Sequence, residues 1–267
     1  SLSTWRKDSG IHTQTDLFKF YDVDKVAQIY TKSDLPDTPV CNNFFRISEN
    51  EIIKSVIKRN SVGKRVQNGQ EADTATLKAM EAETALYTQA HKKKSWFMTI
   101  MREVVWAFGK WKTKALDKFI EEENPDVYFV PIYPVVYMGQ LQRYIAKYTG
   151  KPVACYLADD NFSYKVCGKN LFARIHRFWL RKVSTKLIRE CHKLFVIVPK
   201  TKEECKEIFS KESEYLTKAI DFSKVQYVEK KAELPLKMTY TGKLIIGRDK
   251  ALMNIAEAVA KINNFFR

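Results

Sequence analysis

The sequence predicts an α/β protein: a doubly wound, mostly parallel sheet followed by the opening of a second, incomplete domain. Three observations carry this. Apolar runs without a charge recur at residues 127–130 (VYFV), 153–157 (VACYL) and 194–198 (LFVIV). Such runs suit strands covered on both faces, as in parallel sheets. Segments with helical spacing separate them, and strand–helix–strand alternation makes crossover connections. Finally, 267 residues with 45% hydrophobic content can bury a sizeable core.

The elements follow in order. Residues 11–21 (IHTQTDLFKFY) predict a helix after a Ser9-Gly10 turn. Residues 25–30 (KVAQIY) predict a strand that Ser33-Asp34-Leu35-Pro36 ends, and residues 41–47 a second short strand. Ser48 and Glu51 form a capping box for a helix over 49–59. Residues 60–75, polar and holding glycines, predict a loop. A long helical region covers about 72–119, broken near His91. Asn124-Pro125 then introduces a strand at 126–130, before a helix at 135–148. Gly150-Lys151 turns into a strand at 152–157, and a helix follows at 170–190. A strand at 193–198, a helix at 201–209 and a short strand at 214–220 complete a domain of residues 1–220. Residues 221–236 are charged and unpatterned, a linker. Residues 237–267 open the second domain: a strand at 237–241, turns at Gly242-Lys243 and 247–250, and a helix with Leu252, Ile255, Ala256, Val259 and Ile262 at helical spacing.

Composition narrows the function classes. No apolar run approaches the ~20 residues of a membrane-crossing helix. The five cysteines, Cys41, Cys155, Cys167, Cys191 and Cys205, are scattered and include no CxxC pair, which points to reduced thiols and away from zinc. The net charge of +15 is concentrated: residues 91–118 carry eight Lys/Arg against two acids, and residues 172–193 seven against one. Either these are solvated helix faces, or they meet an anionic partner such as lipid headgroups, nucleic acid or phosphorylated substrates. In residues 92–114, Phe97, Met101, Val104, Phe108 and Trp111 form one apolar stripe flanked by Lys92, Lys93, Lys94, Arg102, Lys110, Lys112 and Lys114. That stripe fits packing against a sheet, and with its basic flanks and Trp96 it equally fits a helix in a membrane interface. The second basic segment predicts a helix packed on the core with a wet basic face.

Ligands of parallel α/β sheets bind beyond the carboxyl ends of the strands. The residues there are Ser9-Gly10, 131–134, Ala158-Asp159-Asp160, Pro199-Lys200 and Gly242-Lys243. Turn glycines let backbone approach phosphate, and helix N-termini and cations supply charge. His12 and Gln14, just after Gly10, are placed to reach the same cleft on the acceptor side. One of Asp159 and Asp160 can face it; the other serves a turn, because adjacent side chains alternate in direction.

These pieces, in this order, resemble a GT-B glycosyltransferase, most nearly glycosyltransferase family 4. NPDVYFVPIYP resembles the strand before the acceptor-side loop, KPVACYLADD the strand ending at the interdomain cleft, and CHKLFVIVPKTKEECKEIF the segment before the crossover. MTYTGKLIIGRDKAL resembles the donor-phosphate motif, with Lys243 at the motif's arginine, Lys250 at its lysine and Arg248 as a substitute cation. Ala251 stands where the family has glycine, and the strand that normally precedes the Ser9-Gly10 turn is missing. The resemblance implies a Rossmann-like acceptor domain plus the start of a nucleotide-sugar domain. Its activity would be hexosyl transfer from a nucleotide sugar to a lipid-linked or polysaccharide acceptor, retaining and metal-independent, with no cofactor besides the co-substrate. It further implies donor-phosphate contacts from Gly10, Lys243, Arg248 and Lys250, and a catalytic role for Asp159 or Asp160. The expected place is the cytoplasmic face of a membrane, held by Lys92, Lys93, Lys94 and Trp96 against anionic lipid, with no nucleic acid bound. The chain alone is expected not to turn over. The alternatives are a basic nucleic-acid-binding protein, for which no finger spacing, RNP-like pattern or GXXG loop speaks, and a non-catalytic α/β binding domain.

Overall fold

The structure, a computed structural model, describes residues 1–7, 13–57, 62–93, 96–164, 170–217, 226, 228–229, 236–242, 244 and 247–265, and of residues 86–93 and 265 the backbone alone. The chain divides into two compact units, 1–220 and 221–267.

The first unit is α/β, with two sheets among its described residues. Helix α1 (Thr13–Phe18) and a 3-10 turn (Val23–Lys25) lead to β1 (Ala27–Tyr30) and then β2 (Asn43–Arg46), which pair in parallel. Helix α2 (Glu49–Ile57) follows, and β3 (Lys64–Gln67) returns antiparallel to β2. Three helices, α3 (Thr74–Lys93), α4 (Trp96–Phe108) and α5 (Lys114–Glu123), connect this mixed sheet to the second one. There, β4 (Tyr128–Pro131), β5 (Val153–Leu157), β6 (Lys193–Val196) and β7 (Glu214–Tyr215) lie in that order, all parallel, joined by α6 (Val136–Thr149), α7 (Leu171–Glu190) and α8 (Pro199–Phe209). The three uncharged runs are therefore neighbouring parallel strands, as expected. The strand order of this sheet contains no reversal, and the first three strands form a separate sheet rather than its other half.

Packing follows the strand alternation. Val153, Cys155 and Leu157 point to one face of β5 and pack with Leu187 and Ile188 of α7 and Cys205 and Phe209 of α8. Tyr156 points to the other face and joins Phe129, which meets Phe18 of α1 edge to face at 5.3 Å. In the mixed sheet, Phe44 and Val66 face a cluster with Trp5, Tyr30 and Val40. Phe45 faces the opposite cluster, where Ile52 of α2, Trp106 of α4 and Leu116 and Phe119 of α5 converge. Trp106 is fully buried and stacks on Tyr137 of α6 at 4.1 Å.

Several local expectations change. Residues 60–75 contain β3, because Gly63 and Gly69, both at positive φ, turn the chain at each end of a four-residue edge strand. Only Val66 of that strand is buried, so its apolar signal is a single residue. The helical region 72–119 is three helices: it also breaks at Gly109, and the Thr113 side chain caps α5 by accepting the Leu116 N–H at 3.2 Å. Of the strand expected at 214–220, Glu214 and Tyr215 form β7, residues 216–217 lie past its end, and 218–220 lie outside the described residues. Residues 237–241 are not a strand: they join neither of the described sheets, and a five-residue β run needs a ladder to hold it. They are exposed, and the regular element among the described residues of the second unit is helix α9 (Arg248–Phe265). The expected linker, 221–236, lies almost wholly outside the described residues. The four described cysteines are buried free thiols.

Candidate functional site

The carboxyl ends of β4 and β5 bring four sequence-distant segments together. After β4, the Ile132 N–H continues the ladder to the Tyr156 carbonyl, and the Gln142 amide of α6 donates to the Pro131 carbonyl at 2.8 Å. After β5, the chain turns through Asp159 to Asn161, whose side-chain amide donates to the Ile132 carbonyl at 3.0 Å. This bond ties the two strand-end loops to each other. Gln14 of α1 donates to the Tyr133 hydroxyl at 2.9 Å, and its amide oxygen accepts the Trp5 indole N–H at 3.4 Å. The two bonds together orient the Gln14 amide, because the indole only donates. Burial pushes the Tyr133 phenol above its ordinary range, so it is a neutral hydroxyl at physiological pH.

The two carboxylates differ. Asp160 accepts the Ser163 N–H at 2.8 Å, an Asx-type turn, so its carboxylate is engaged in shaping the loop. Asp159 is exposed and bonds through its carbonyl, which accepts the Asn161 N–H. Its charge helps raise the Tyr156 phenol, after the larger effect of burial. Of the pair, Asp159 is thus the carboxylate free to meet a ligand hydroxyl. Gly10, His12 and Lys243 lie outside the described residues. Arg248 and Lys250 stand exposed in the first turn of α9, which Gly247 enters at φ +77°.

Behind the strand-end loops lies a buried polar group that the sequence did not reveal. The N-cap residue of α6, Val135, has no capping side chain. Instead the Glu103 carboxylate, from α4, accepts the N–H groups of Val136 and Tyr137 at 2.8 Å each. The His176 Nε2 of α7 lies 3.1 Å from the same carboxylate, and both side chains are about 4% exposed. A helix N-terminus attracts an anion, and here the protein's own carboxylate fills that position. Arg102, next in sequence, pairs with Glu49 of α2 at 2.8 Å and donates to the Tyr137 hydroxyl at 2.9 Å. The signal available in sequence was slight: Glu103 is one of only two acids in the basic segment 91–118.

The orientation of α4 follows from this network. Glu103 and Trp106 face inward, so the stripe of Phe97, Met101 and Phe108 faces outward, with Phe97 54% and Phe108 73% exposed. Trp111, the last residue of the expected stripe, is buried instead and donates to the Trp106 carbonyl. Trp96 is half-buried with its ring 5.9 Å from that of His176. Lys92 and Lys93 close α3, but their side chains, and Lys94 altogether, lie outside the described residues.

A separate cavity of about 490 Å³ opens at the entry of β6 and β7, the other end of the strands, lined by His192, Lys193, Lys202, Lys211, Ser213 and Glu214. Its cations are engaged: Lys193 with Glu214, Lys211 with the Cys191 carbonyl, and Lys202 over the Tyr215 ring. Among the described residues, no group of three or more His, Cys, Asp or Glu is placed to hold a metal ion. Compared with protein-family models, curated proteins and solved structures, the chain matches none.

Proposed function

We propose that this chain is the acceptor-side part of a GT-B-type sugar transferase. It would move a hexose from a nucleotide sugar to a lipid-linked or polysaccharide acceptor at the inner face of a membrane. The observation that carries this is the pairing of two strand-end loops at the carboxyl edge of a parallel sheet, with a free carboxylate on one of them. Asn161 and Ile132 hold the loops together, Gln14 and Tyr133 supply oriented neutral groups beside them, and Asp159 is the carboxylate available to orient an acceptor hydroxyl or to stabilise positive charge developing at the sugar carbon. Lys243, Arg248 and Lys250 are assigned to the donor diphosphate on the resemblance alone. Cations there would neutralise the charge that develops on the leaving group as the glycosidic bond breaks.

The test is transfer of labelled sugar by the full-length protein from a panel of uridine and guanosine diphosphate sugars to a membrane lipid extract, with and without EDTA. Asp159→Asn should lower kcat about a hundredfold or more. Asp160→Asn should retain most activity, because an asparagine oxygen can still accept the Ser163 N–H. Absence of transfer from every donor, or full activity in Asp159→Asn, would overturn the assignment.

A further inference from the structure

We infer that the outer faces of α4 and α7 together form a contact surface for an anionic lipid bilayer. This rests on the membrane-proximal part of the proposed function and gives it a location. Sequence periodicity assigned α7 to the core with a wet basic face, yet the helix exposes Leu171 (67%), Phe172 and Phe178 in its first half. Phe97 of α4 meets Phe172 edge to face at 6.2 Å, so the two exposed apolar faces are continuous at that point. Exposed cations follow along α7, at Arg174, Lys182 and Lys186.

The acids settle the sign of the partner. The single carboxylate of α4, Glu103, is buried against the α6 N-terminus, and the single carboxylate of α7, Glu190, is paired in two bonds with Arg143. Neither helix presents an unpaired negative charge to the outside. Half-exposed aromatic and aliphatic side chains beside cations suit the boundary of headgroups and acyl chains, where rings enter the apolar layer and cations stay with phosphate. No described helix is long and apolar enough to cross a membrane, so contact along a helix face is the mode available to α4 and α7.

Vesicle co-sedimentation, without any nucleotide sugar, tests this. The protein should pellet with phosphatidylcholine vesicles containing phosphatidylglycerol at low salt, and not with phosphatidylcholine alone. Binding should fall steeply at high salt, since headgroup attraction decays over a Debye length. Phe97→Ser with Leu171→Ser should lower the partition coefficient about tenfold or more. Arg174→Gln, Lys182→Gln and Lys186→Gln together should remove a similar factor, specifically from the anionic vesicles. Neutralising three exposed lysines elsewhere, Lys54, Lys64 and Lys78, should change binding no more than about twofold. All these side chains are exposed, so thermal melting by circular dichroism should stay unchanged. The inference is overturned by equal binding to neutral vesicles, or by equal loss in the control triple. It also fails if a dimer in solution disappears in the Phe97/Leu171 variant, or if an oligonucleotide displaces vesicles through the same cations. Binding without sugar transfer would leave this surface standing and remove the proposed activity; transfer to a soluble acceptor without vesicle binding would do the reverse.

Discussion

Replacing Glu103 by alanine should destabilise the first unit more than any exposed-site change. The substitution removes one carboxylate that accepts two backbone N–H groups at 2.8 Å and faces His176 at 3.1 Å. Each orphaned buried donor costs about 1–3 kcal/mol. The carboxylate's own desolvation opposes its bonds, so with two donors orphaned the net loss is about 2–5 kcal/mol. Glu103→Gln keeps one acceptor and should lose about 1–3 kcal/mol. Glu103→Leu fills the space but leaves both α6 donors unmet, and should resemble alanine. Urea unfolding followed by circular dichroism reads these directly. With a slope of about 2–3 kcal/mol per molar, a loss of about 4 kcal/mol lowers the midpoint by roughly 1.3–2 M at unchanged slope. Glu103→Leu at wild-type stability would refute the reasoning, since capping by a remote carboxylate would then contribute nothing that apolar packing does not.

Two further expectations concern glycines at positive φ and a buried acid. At Gly63 the φ is +87° and an added Cβ would sit 2.6 Å from the Phe45 ring, whereas at Gly150 the φ is +65° with open space around it. Gly63→Ala should therefore cost about 2–4 kcal/mol and Gly150→Ala only about 1 kcal/mol, measured in the same urea titration. Asp34 is pushed up to about 6, mainly by burial, with Lys32 opposing. A raised acid holds its proton more tightly in the folded state, so stability should rise as pH falls from about 6 towards 4. Asp34→Asn should flatten that window and add at most about 3 kcal/mol at pH 7. Equal pH slopes in the two proteins would rule out Asp34 as their source.

The sequence by itself determined the parallel sheet. The runs at 127–130, 153–157 and 194–198 carry their information locally, as uncharged β segments between periodic helices, and strand–helix–strand connections leave little choice of pairing. It also placed Asp159, Asp160 and Tyr133 at strand ends, because a strand end is a local feature. The capping box at Ser48 and Glu51 was legible for the same reason, and both of its bonds form. Only the tertiary structure decided which face of α4 is buried. The periodicity of Phe97, Met101 and Phe108 marks an apolar stripe without saying what covers it. That choice belongs to Glu103, whose partners lie 33 and 73 residues away in the α6 backbone and on α7. The same holds for β3, which has one buried side chain and exists because β2 offers it a ladder, and for 237–241, a β run outside both described sheets. Local pattern sets what a segment can become; desolvation and hydrogen-bond partners distant in the chain set what it does become.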